Sequence, residues 1–453
     1  MPFATINPAT GKTEQVFPTM TSTEVDALLD RAVAAFAEYK TTSYAERARH
    51  LHTAAELLEG EVPDVARILT TEMGKTFAAA KAEVSKCALS LHWFADNAER
   101  LLADEAIPTR ASKSYVRFQP IGAVLAIMPW NFPLWQVMRF AAPALMVGNV
   151  GLLKHASNVP QTALAIEDLF RRAGLPAGVF TNLFVESKDV AAIIEDPRVA
   201  AVTLTGSERA GMSVAASAGH ALKKTVLELG GSDPFLVFSS ADLDACVRTA
   251  VTARVQNNGQ SCIAAKRFIV VDEIADEFLA RFTEAMDALV VGDPFDPGTD
   301  VGPIVTETQR DELVSQVEAA RAQGAKVHAT AKVPDDGWYF PPTVVSGVKT
   351  DMPVAREEIF GPVALVLRVA DLDAALDAAN ATDFGLGSSV WTDDQEEVRR
   401  CIENLEAGAV FVNAMVASTP ELPFGGVKRS GFGRELSEIG LKEFANAKTV
   451  WIA

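Results

Sequence analysis

Several side chains suited to carbonyl chemistry stand at the ends of apolar runs in this chain. Cys262 follows the glycine-containing segment Asn257–Ser261. A turn of this kind can present a sulfur to a cleft, where a lowered pKa would make the thiolate a nucleophile. An inert buried thiol is the alternative. We assign that state to the three cysteines that lie within helical patterns: Cys87, Cys246 and Cys401.

A glutamate and an asparagine could complete such a site. Glu228 ends the apolar run Val226–Leu229, where burial would raise the pKa of its carboxyl group and suit it to activate water. A glutamate that faces solvent from an edge strand is the alternative. Asn131 stands between Pro129 and Pro133, and its rigidly held amide could donate to a developing oxyanion. An Asx-turn would also explain Asn131.

A phosphate site is predicted where Thr205–Gly211 opens a helical pattern, because the N–H groups at a helix N-terminus bind anions. The spacing is G-x-x-x-x-G and lacks the Lys-Ser/Thr of a P-loop, so the pattern is weak by itself. Lys154 follows another apolar run and could hydrogen-bond a ribose or a phosphate. The alternative is a surface lysine whose stem packs on apolar groups.

These residues need a scaffold that brings them together. The first hundred residues predict helices, with patterns near residues 23–36, 45–58 and 62–97. From Ile121 onward, short apolar runs alternate with amphipathic segments, one of which should end at Gly174. This alternation predicts right-handed βαβ units in a mostly parallel sheet, followed by a second α/β block from about 233 to 420. Ligands bind beyond the carboxyl ends of such strands, which is where the predicted site residues lie: Asn131, Lys154, Gly206 and Glu228.

Composition narrows the class of protein. The chain of 453 residues carries 41 basic and 59 acidic side chains, so its net charge is −18, and we expect neither nucleic acid nor membrane as a partner. The apolar stretch Ile121–Trp135 is short and interrupted by prolines, and no secretory signal or zinc-ligand spacing is present. Four cysteines are too few for a disulfide scaffold. We therefore expect a cytoplasmic protein without a metal.

Seven motifs, taken together and in order, resemble the aldehyde dehydrogenase superfamily over essentially the whole chain. They are Pro129–Pro133, Leu153–Lys154, Thr205–Ser207, Leu227–Gly231, Gly259–Cys262, Glu357–Pro362 and Pro423–Gly426. The resemblance implies an α/β fold with a Rossmann-like cofactor domain, an α/β catalytic domain and a small β oligomerisation flap. It assigns residues 1–230 to the cofactor domain, with 110–120 contributing to the flap, residues 231–422 to the catalytic domain, and 423–453 to a C-terminal return and oligomerisation strand. A homodimer or homotetramer is implied as well.

The same resemblance implies a role for each motif residue. Cys262 would be the nucleophile, Glu228 the base for hydrolysis, and Asn131 would form the oxyanion hole with the backbone N–H of Cys262. A nicotinamide cofactor would contact a further set: Trp130, Lys154, Ser157, Gly206, Ser207, Gly211, Glu358 and Phe360. The implied reaction passes through a hemithioacetal and a thioester, with hydride transfer to the nicotinamide.

Within the superfamily the chain most resembles bacterial succinate-semialdehyde dehydrogenases of the shorter type. Arg139 lies eight residues after Asn131, just over two helical turns, and its guanidinium could clamp the far carboxylate of a semialdehyde. A structural ion pair is the alternative. The resemblance assigns Ser418 to the same clamp. Ser157, three residues after Lys154, stands where NAD-preferring relatives often carry glutamate, so NADP is favoured and NAD stays possible.

Two departures from that subfamily keep alternatives open. Gln256 replaces a second arginine that many members carry, so glutarate semialdehyde or uncharged aldehydes remain candidate substrates of a broader aldehyde dehydrogenase. Ala264 replaces a redox-switch cysteine, so a disulfide switch is excluded there. An acyl-CoA-forming enzyme is disfavoured because it would not require Glu228. A non-catalytic structural or binding member of the family is disfavoured because Cys262, Glu228 and Asn131 all occur together.

Overall fold

The computed structural model describes residues 3–453, which form helices and strands in frequent alternation. The helices are α1 Ser22–Tyr39, α2 Tyr44–Gly60, α3 Val62–Met73, α4 Phe77–Leu101, α5 Trp135–Val147, α6 Pro160–Arg172, α7 Val190–Glu195, α8 Glu208–His220, α9 Leu243–Val255, α10 Ala275–Asp287, α11 Glu307–Ala322, α12 Leu372–Asn380, α13 Gln395–Asn404 and α14 Ser437–Glu443. The strands are β1 Phe3–Asn7, β2 Lys12–Phe17, β3 Glu105–Ala106, β4 Lys113–Pro120, β5 Ala123–Met128, β6 Val150–His155, β7 Phe180–Asn182, β8 Val199–Thr205, β9 Lys224–Glu228, β10 Pro234–Val237, β11 Arg267–Val271, β12 Lys326–His328, β13 Thr343–Ser346, β14 Val363–Val369, β15 Phe384–Gly385, β16 Gly387–Trp391, β17 Ala409–Val412, β18 Val427–Lys428, β19 Gly431–Phe432 and β20 Ala445–Ile452. No helix in this part of the chain is long and apolar enough to cross a membrane.

The first large sheet has six strands in the order β19-β9-β8-β5-β6-β7. Its strands pair in parallel, except that β19, from the C-terminal segment, pairs antiparallel with the end of β9. β5 and β6 are apolar along most of their length because helices cover both faces of the sheet, as parallel sheets require. The carboxyl ends of β5, β6, β8 and β9 therefore lie along one edge, as the sequence predicted.

The second large sheet has seven strands in the order β12-β13-β14-β11-β10-β16-β17. It is parallel except for β12 at one edge. β10 begins only six residues after β9 ends, so the chain passes directly from one sheet to the other through Leu229–Asp233. The α/β class predicted from the alternating pattern is confirmed, while the domain boundaries at 230 and 422 stay a prediction.

A third sheet, in the order β20-β4-β3, matches the implied flap. β20 pairs antiparallel with β4 over eight residues, from Ala445 opposite Pro120 to Ile452 opposite Lys113. On its other side β20 has no neighbouring strand within the described residues. A strand edge that is left open in this way is available for pairing with another chain.

The helical prediction for the first hundred residues was wrong in two places. Residues 3–17 form the antiparallel hairpin β1–β2 rather than a helix. The pattern at 62–97 is two helices, α3 and α4, because Gly74 adopts φ +82 and ends the first one. A side chain at Gly74 would meet Pro303 at 2.8 Å, so the break also serves a close approach. The N-cap of α1 is Thr21, whose capping box uses Glu24.

Candidate active site

A strained turn fixes the position of the cysteine. After α9, residues Asn257, Asn258 and Gly259 all take left-handed backbone angles, with φ of 56, 57 and 74. The Asn258 amide donates to the carbonyls of Gly74 and Pro303 at 2.9 and 3.0 Å, which ties the turn to its surroundings. At Gly259 a Cβ would lie 2.3 Å from the Gly361 carbonyl carbon, so only glycine fits. The strain is held by tertiary contacts, as at many functional sites.

Lys266 anchors the backbone of the cysteine itself. Its ammonium is fully buried and donates to the carbonyls of Ser261 at 2.9 Å and Cys262 at 2.6 Å. It also forms an ion pair with Glu358 Oε1 at 3.5 Å. The other contact of that carboxylate oxygen is the N–H of Gly231, at 3.1 Å. One lysine therefore connects the cysteine turn to the segment that joins the two large sheets.

Asn131 lies beside this turn, held by a neutral histidine. The Asn131 Nδ2 donates to the Gln260 carbonyl at 3.2 Å, and the residue is buried. His155 Nε2 donates to the Pro133 carbonyl at 2.8 Å, while His155 Nδ1 accepts from the N–H of Ala156. Burial lowers the pKa of His155 to about 4, so the ring is neutral and packs the proline turn that carries Asn131.

One cavity, of about 320 Å³, opens from Cys262 toward the carboxyl edge of the first sheet. Most of the predicted cofactor residues line it: Trp130, Gly206, Ser207, Glu358 and Phe360, together with Asn131. The Trp130 and Phe360 rings meet edge to face at 5.6 Å between centroids. The cavity therefore joins the predicted nucleophile, oxyanion donor and cofactor residues.

The donor groups of this cavity fit a dinucleotide. Ser207 caps α8, so free N–H groups of the first helical turn face the cavity. Thr205 Oγ1 is buried there without a hydrogen-bond partner, and the Glu358 carboxylate can accept from ribose hydroxyls. Lys154, the penultimate residue of β6, lies outside the cavity lining, and burial lowers the pKa of its ammonium. Ser157 follows three residues later.

Gly211 has a different place from the one that the resemblance implied. It lies inside α8 and does not line the cavity. A Cβ on Gly211 would come within 2.6 Å of the Leu229 side chain. The physical reason for the glycine is thus the close packing of α8 against the strand connection after β9.

A second cavity, of about 280 Å³, opens from the other side of Cys262 and has a mostly apolar lining. Cys262 and Gln136 line both cavities, so the sulfur stands where the two meet. The second cavity contains both predicted substrate residues, Arg139 and Ser418, and also Lys86. It is a suitable place for a small aldehyde that carries an acidic group.

Arg139 is engaged with a carboxylate that the sequence analysis did not single out. Its Nε lies 2.6 Å from Glu435 Oε2, and both side chains are at most 4% exposed. The guanidinium carbon lies 4.5 Å from the centre of the Phe424 ring. Arg139 Nη2 is buried without a hydrogen-bond partner. The structural ion pair weighed as the alternative is therefore present, although its Nε–Oε2 contact lacks hydrogen-bond geometry, so both Nε and Nη2 of Arg139 are without a hydrogen-bond acceptor.

Glu228 lies behind the cavities rather than on their surface. It is 2% exposed, and neither carboxylate oxygen has a hydrogen-bond partner. Burial and the neighbouring Glu435 raise the pKa of Glu228 well above its ordinary value, against the opposing charge of Arg139. The rise expected for a general base is thus present, and the solvent-facing alternative is wrong. To reach water at Cys262, the side chain must rotate.

The thiol at Cys262 differs from the sequence expectation. Burial raises the pKa of Cys262 to about 12, although Arg139 and Lys266 act to lower it. The effect of desolvation on this pKa is thus larger than the opposing effect of the two cations. Cys87, Cys246 and Cys401 are buried in helices, as expected, and all four cysteines are free.

Sequence reasoning missed Lys86, Lys266 and the pairing partner Glu435. Lys86 and Lys266 carry no motif signal that distinguishes them from surface lysines. Glu435 lies nine residues after the Pro423–Gly426 motif, and an acidic residue so close to a motif could have been considered as a partner for Arg139. No three His, Cys, Asp or Glu side chains among residues 3–453 are grouped as a metal site would require.

The sequence and the fold match a known family. The chain belongs to the aldehyde dehydrogenase family, whose model matches residues 1–450. It is 60% identical to the NADP(+) succinate-semialdehyde dehydrogenase 1 of Mycobacterium tuberculosis, with 100% of both chains covered. It is 58% identical to the NADP(+) succinate-semialdehyde dehydrogenase of Mycobacterium avium, covering 100% of this chain and 97% of the relative. The crystal structure of succinic semialdehyde dehydrogenase from Streptococcus pyogenes in complex with NADP+ matches with a TM-score of 0.97 at 38% identity, over 99% of each chain.

Proposed function

We propose that this protein is a succinate-semialdehyde dehydrogenase that uses NADP⁺ and releases succinate. The observation that carries the proposal is the position of Cys262 between two cavities, one with dinucleotide-type donors and one with basic side chains. The relatives that are named for this activity and this cofactor, at 60% and 58% identity, support the choice of substrate and cofactor.

The chain's own groups account for the chemical steps. Cys262 releases its thiol proton to water in the cavity, and its Sγ attacks the aldehyde carbon. The oxyanion that forms accepts hydrogen bonds from Asn131 Nδ2 and the Cys262 N–H. A nicotinamide cofactor held in the cavity lined by Trp130, Glu358 and Phe360 would supply the hydride acceptor that oxidation of the aldehyde carbon requires. Glu228, rotated toward the cavity, then removes a proton from water, which attacks the thioester carbonyl and displaces the Cys262 thiolate.

Two residues govern substrate and cofactor preference in this proposal. Arg139 contributes to binding of the far carboxylate through its unpartnered Nη2, while its Nε stays with Glu435. Ser157 leaves room and removes repulsion for a ribose 2′-phosphate, since no carboxylate stands at that position. Lys154, a buried cation near the end of β6, favours binding of an anionic group nearby.

The direct test is a comparison of three aldehydes with either cofactor. Succinate semialdehyde, glutarate semialdehyde and butanal are oxidised with NADP⁺ or NAD⁺, and reduced nicotinamide is followed by its near-ultraviolet absorbance. The highest kcat/KM is expected for succinate semialdehyde with NADP⁺, and Cys262→Ser should abolish it. A higher kcat/KM for butanal would overturn the substrate and support the broader aldehyde dehydrogenase. A complete lack of turnover would favour the non-catalytic alternative.

Assembly and location complete the proposal. We infer a homodimer or homotetramer formed through the flap, because the outer edge of β20 is unpaired and Trp451 and Ile452 are about half exposed. Light scattering on the purified protein should give two or four chains, and Trp451→Glu should reduce that number. Free cysteines throughout support a reducing compartment such as the cytoplasm.

A further inference from the structure

Lys86 is a cation in the second cavity that no motif predicted. It lies on α4, and its Nζ donates to Ser418 Oγ at 3.0 Å. The ammonium also stands 4.1 Å from the centre of the Trp135 ring. Within residues 3–453 it has no carboxylate partner, and a cation of this kind can interact with an anion that enters the cavity.

The hydroxyl of Ser418 is oriented by two donors. It accepts from Lys86 Nζ and from Trp135 Nε1, the latter at 3.1 Å, and Ser418 is 4% exposed. Because these two bonds use both lone pairs of the oxygen, the O–H proton remains to be donated. It has no acceptor among the described residues. Lys86 and Ser418 together therefore offer an ammonium and a hydroxyl donor in one cavity.

The other charged groups near Lys86 already have partners. Glu83, one turn earlier on α4, pairs with Lys75 and accepts from the N–H groups of Leu134 and Trp135 at 3.0 and 2.9 Å. Arg139 on α5 is paired with Glu435. Of these three charged side chains, Lys86 is thus the one without an oppositely charged partner among the described residues.

We propose that Lys86 joins Ser418 and Arg139 in binding the carboxylate of the substrate, and that its ammonium adds to the selection of charged over uncharged aldehydes. The inference deepens the proposed function, on which it rests for the identity of the aldehyde. The ammonium and the hydroxyl can each donate to a carboxylate oxygen, and Arg139 supplies further positive charge without being released from Glu435.

The titration of Lys86 adds a separate readout. Burial, followed by the charge of Arg139, lowers the pKa of Lys86 to about 8, opposed by Cys87 and Glu83 on α4. The ammonium is therefore lost as pH rises through about 8 in the free enzyme. KM for succinate semialdehyde should rise over that range, while KM for butanal, which has no carboxylate, should not follow the same titration.

The experiment compares Lys86→Met, Lys86→Arg and Ser418→Ala, with Lys81→Met as the matched control on the same helix outside the cavity. Loss of a charge-assisted hydrogen bond predicts about 10- to 100-fold lower kcat/KM for succinate semialdehyde in Lys86→Met, mostly through KM. Butanal oxidation should change by less than about threefold, because no such bond forms with it. Lys86→Arg should retain most of the preference and lose the KM rise near pH 8.

Equal losses for both aldehydes in Lys86→Met, or an unchanged preference, would overturn the inference. Inhibition by succinate tests the carboxylate site independently of the proposed substrate. Succinate should compete with butanal in the unaltered enzyme, and in Lys86→Met this competition should be about 10-fold weaker. If Lys86→Met does not fold, Ser418→Ala must weaken the same competition. An unaltered enzyme that prefers butanal yet is inhibited by succinate through Lys86 would contradict the proposed substrate and not the carboxylate site.

Discussion

Replacing Lys266 with methionine should remove the support of the nucleophile turn. Methionine has a similar length and fits an apolar site, but it cannot donate to the carbonyls of Ser261 and Cys262, which the ammonium reaches at 2.9 and 2.6 Å. It also leaves Glu358 without its ion-pair partner. The substitution thus changes charge and hydrogen bonding with little change in volume.

The size of the effect follows from these contacts. A buried carbonyl without a donor costs about 1–3 kcal/mol, and loss of one partner of a buried ion pair costs about 3–5 kcal/mol. The loss is smaller here because the Cys262 carbonyl and the Glu358 side chain are only partly buried. Burial of the ammonium is itself unfavourable and lowers the pKa of Lys266, so part of this loss is recovered. We expect the free energy of unfolding to fall by about 3 kcal/mol.

Urea unfolding measures the stability change, and iodoacetamide labelling of Cys262 measures the electrostatic one. Lys266 lowers the pKa of the Cys262 thiol and Glu358 raises it, so Lys266→Met should slow labelling while Glu358→Gln speeds it. Lys224→Met is the control, because its ion pair with Glu443 is exposed and worth less than about 1 kcal/mol. A Lys266→Met protein with unaltered stability and full turnover would refute the reasoning.

Three further predictions concern the base, the cofactor and the buried ion pair. Glu228→Gln should slow thioester hydrolysis by about 100- to 10,000-fold and leave an acyl-enzyme visible by mass spectrometry; rapid turnover would argue against this base. The pKa of Glu228 is raised in the folded state, so its contribution to stability is fully present at pH values below the ordinary pKa of a glutamate and is lost as pH rises through the folded-state pKa. The free energy of unfolding of the Gln variant, measured in urea, should therefore vary less with pH. Ser157→Glu should raise KM for NADP⁺ by about tenfold or more through like-charge repulsion and change KM for NAD⁺ little, and equal changes would count against that role. Glu435→Gln should lower the free energy of unfolding by about 3–5 kcal/mol because Arg139 stays buried without its partner, whereas the exposed Glu438→Gln should have almost no effect in the same urea titration.

The parts of the site that could be predicted are those in which a residue type is tied to a local pattern. Asn131 between two prolines, Glu228 at the end of an apolar strand and Cys262 on a glycine turn were assigned from such patterns and from the resemblance. The structure brings Asn131 and Cys262 to one cavity and places Glu228 behind it. The two α/β blocks were predicted as well, because buried parallel strands are short and continuously apolar.

The errors have equally local causes. The hairpin β1–β2 has little apolar alternation, since β2 is exposed over most of its length, and nothing in residues 3–17 distinguishes it from a loop. The break at Gly74 is required by contact with Pro303, which is more than two hundred residues away in the chain. A single glycine in a helical pattern does not reveal such a contact.

The sequence by itself determined the fold class, the family and the identity of the reacting side chains, because apolar periodicity and ordered motifs are properties of neighbouring residues. Only the tertiary structure decided which charges meet. Arg139 with Glu435, Lys266 with Glu358, and Lys86 without a carboxylate are outcomes of packing between distant segments. The electrostatic energy of a buried group depends on distances to those segments and on the exclusion of water. The state of the Cys262 thiol and the recognition of a substrate carboxylate therefore follow from the folded arrangement.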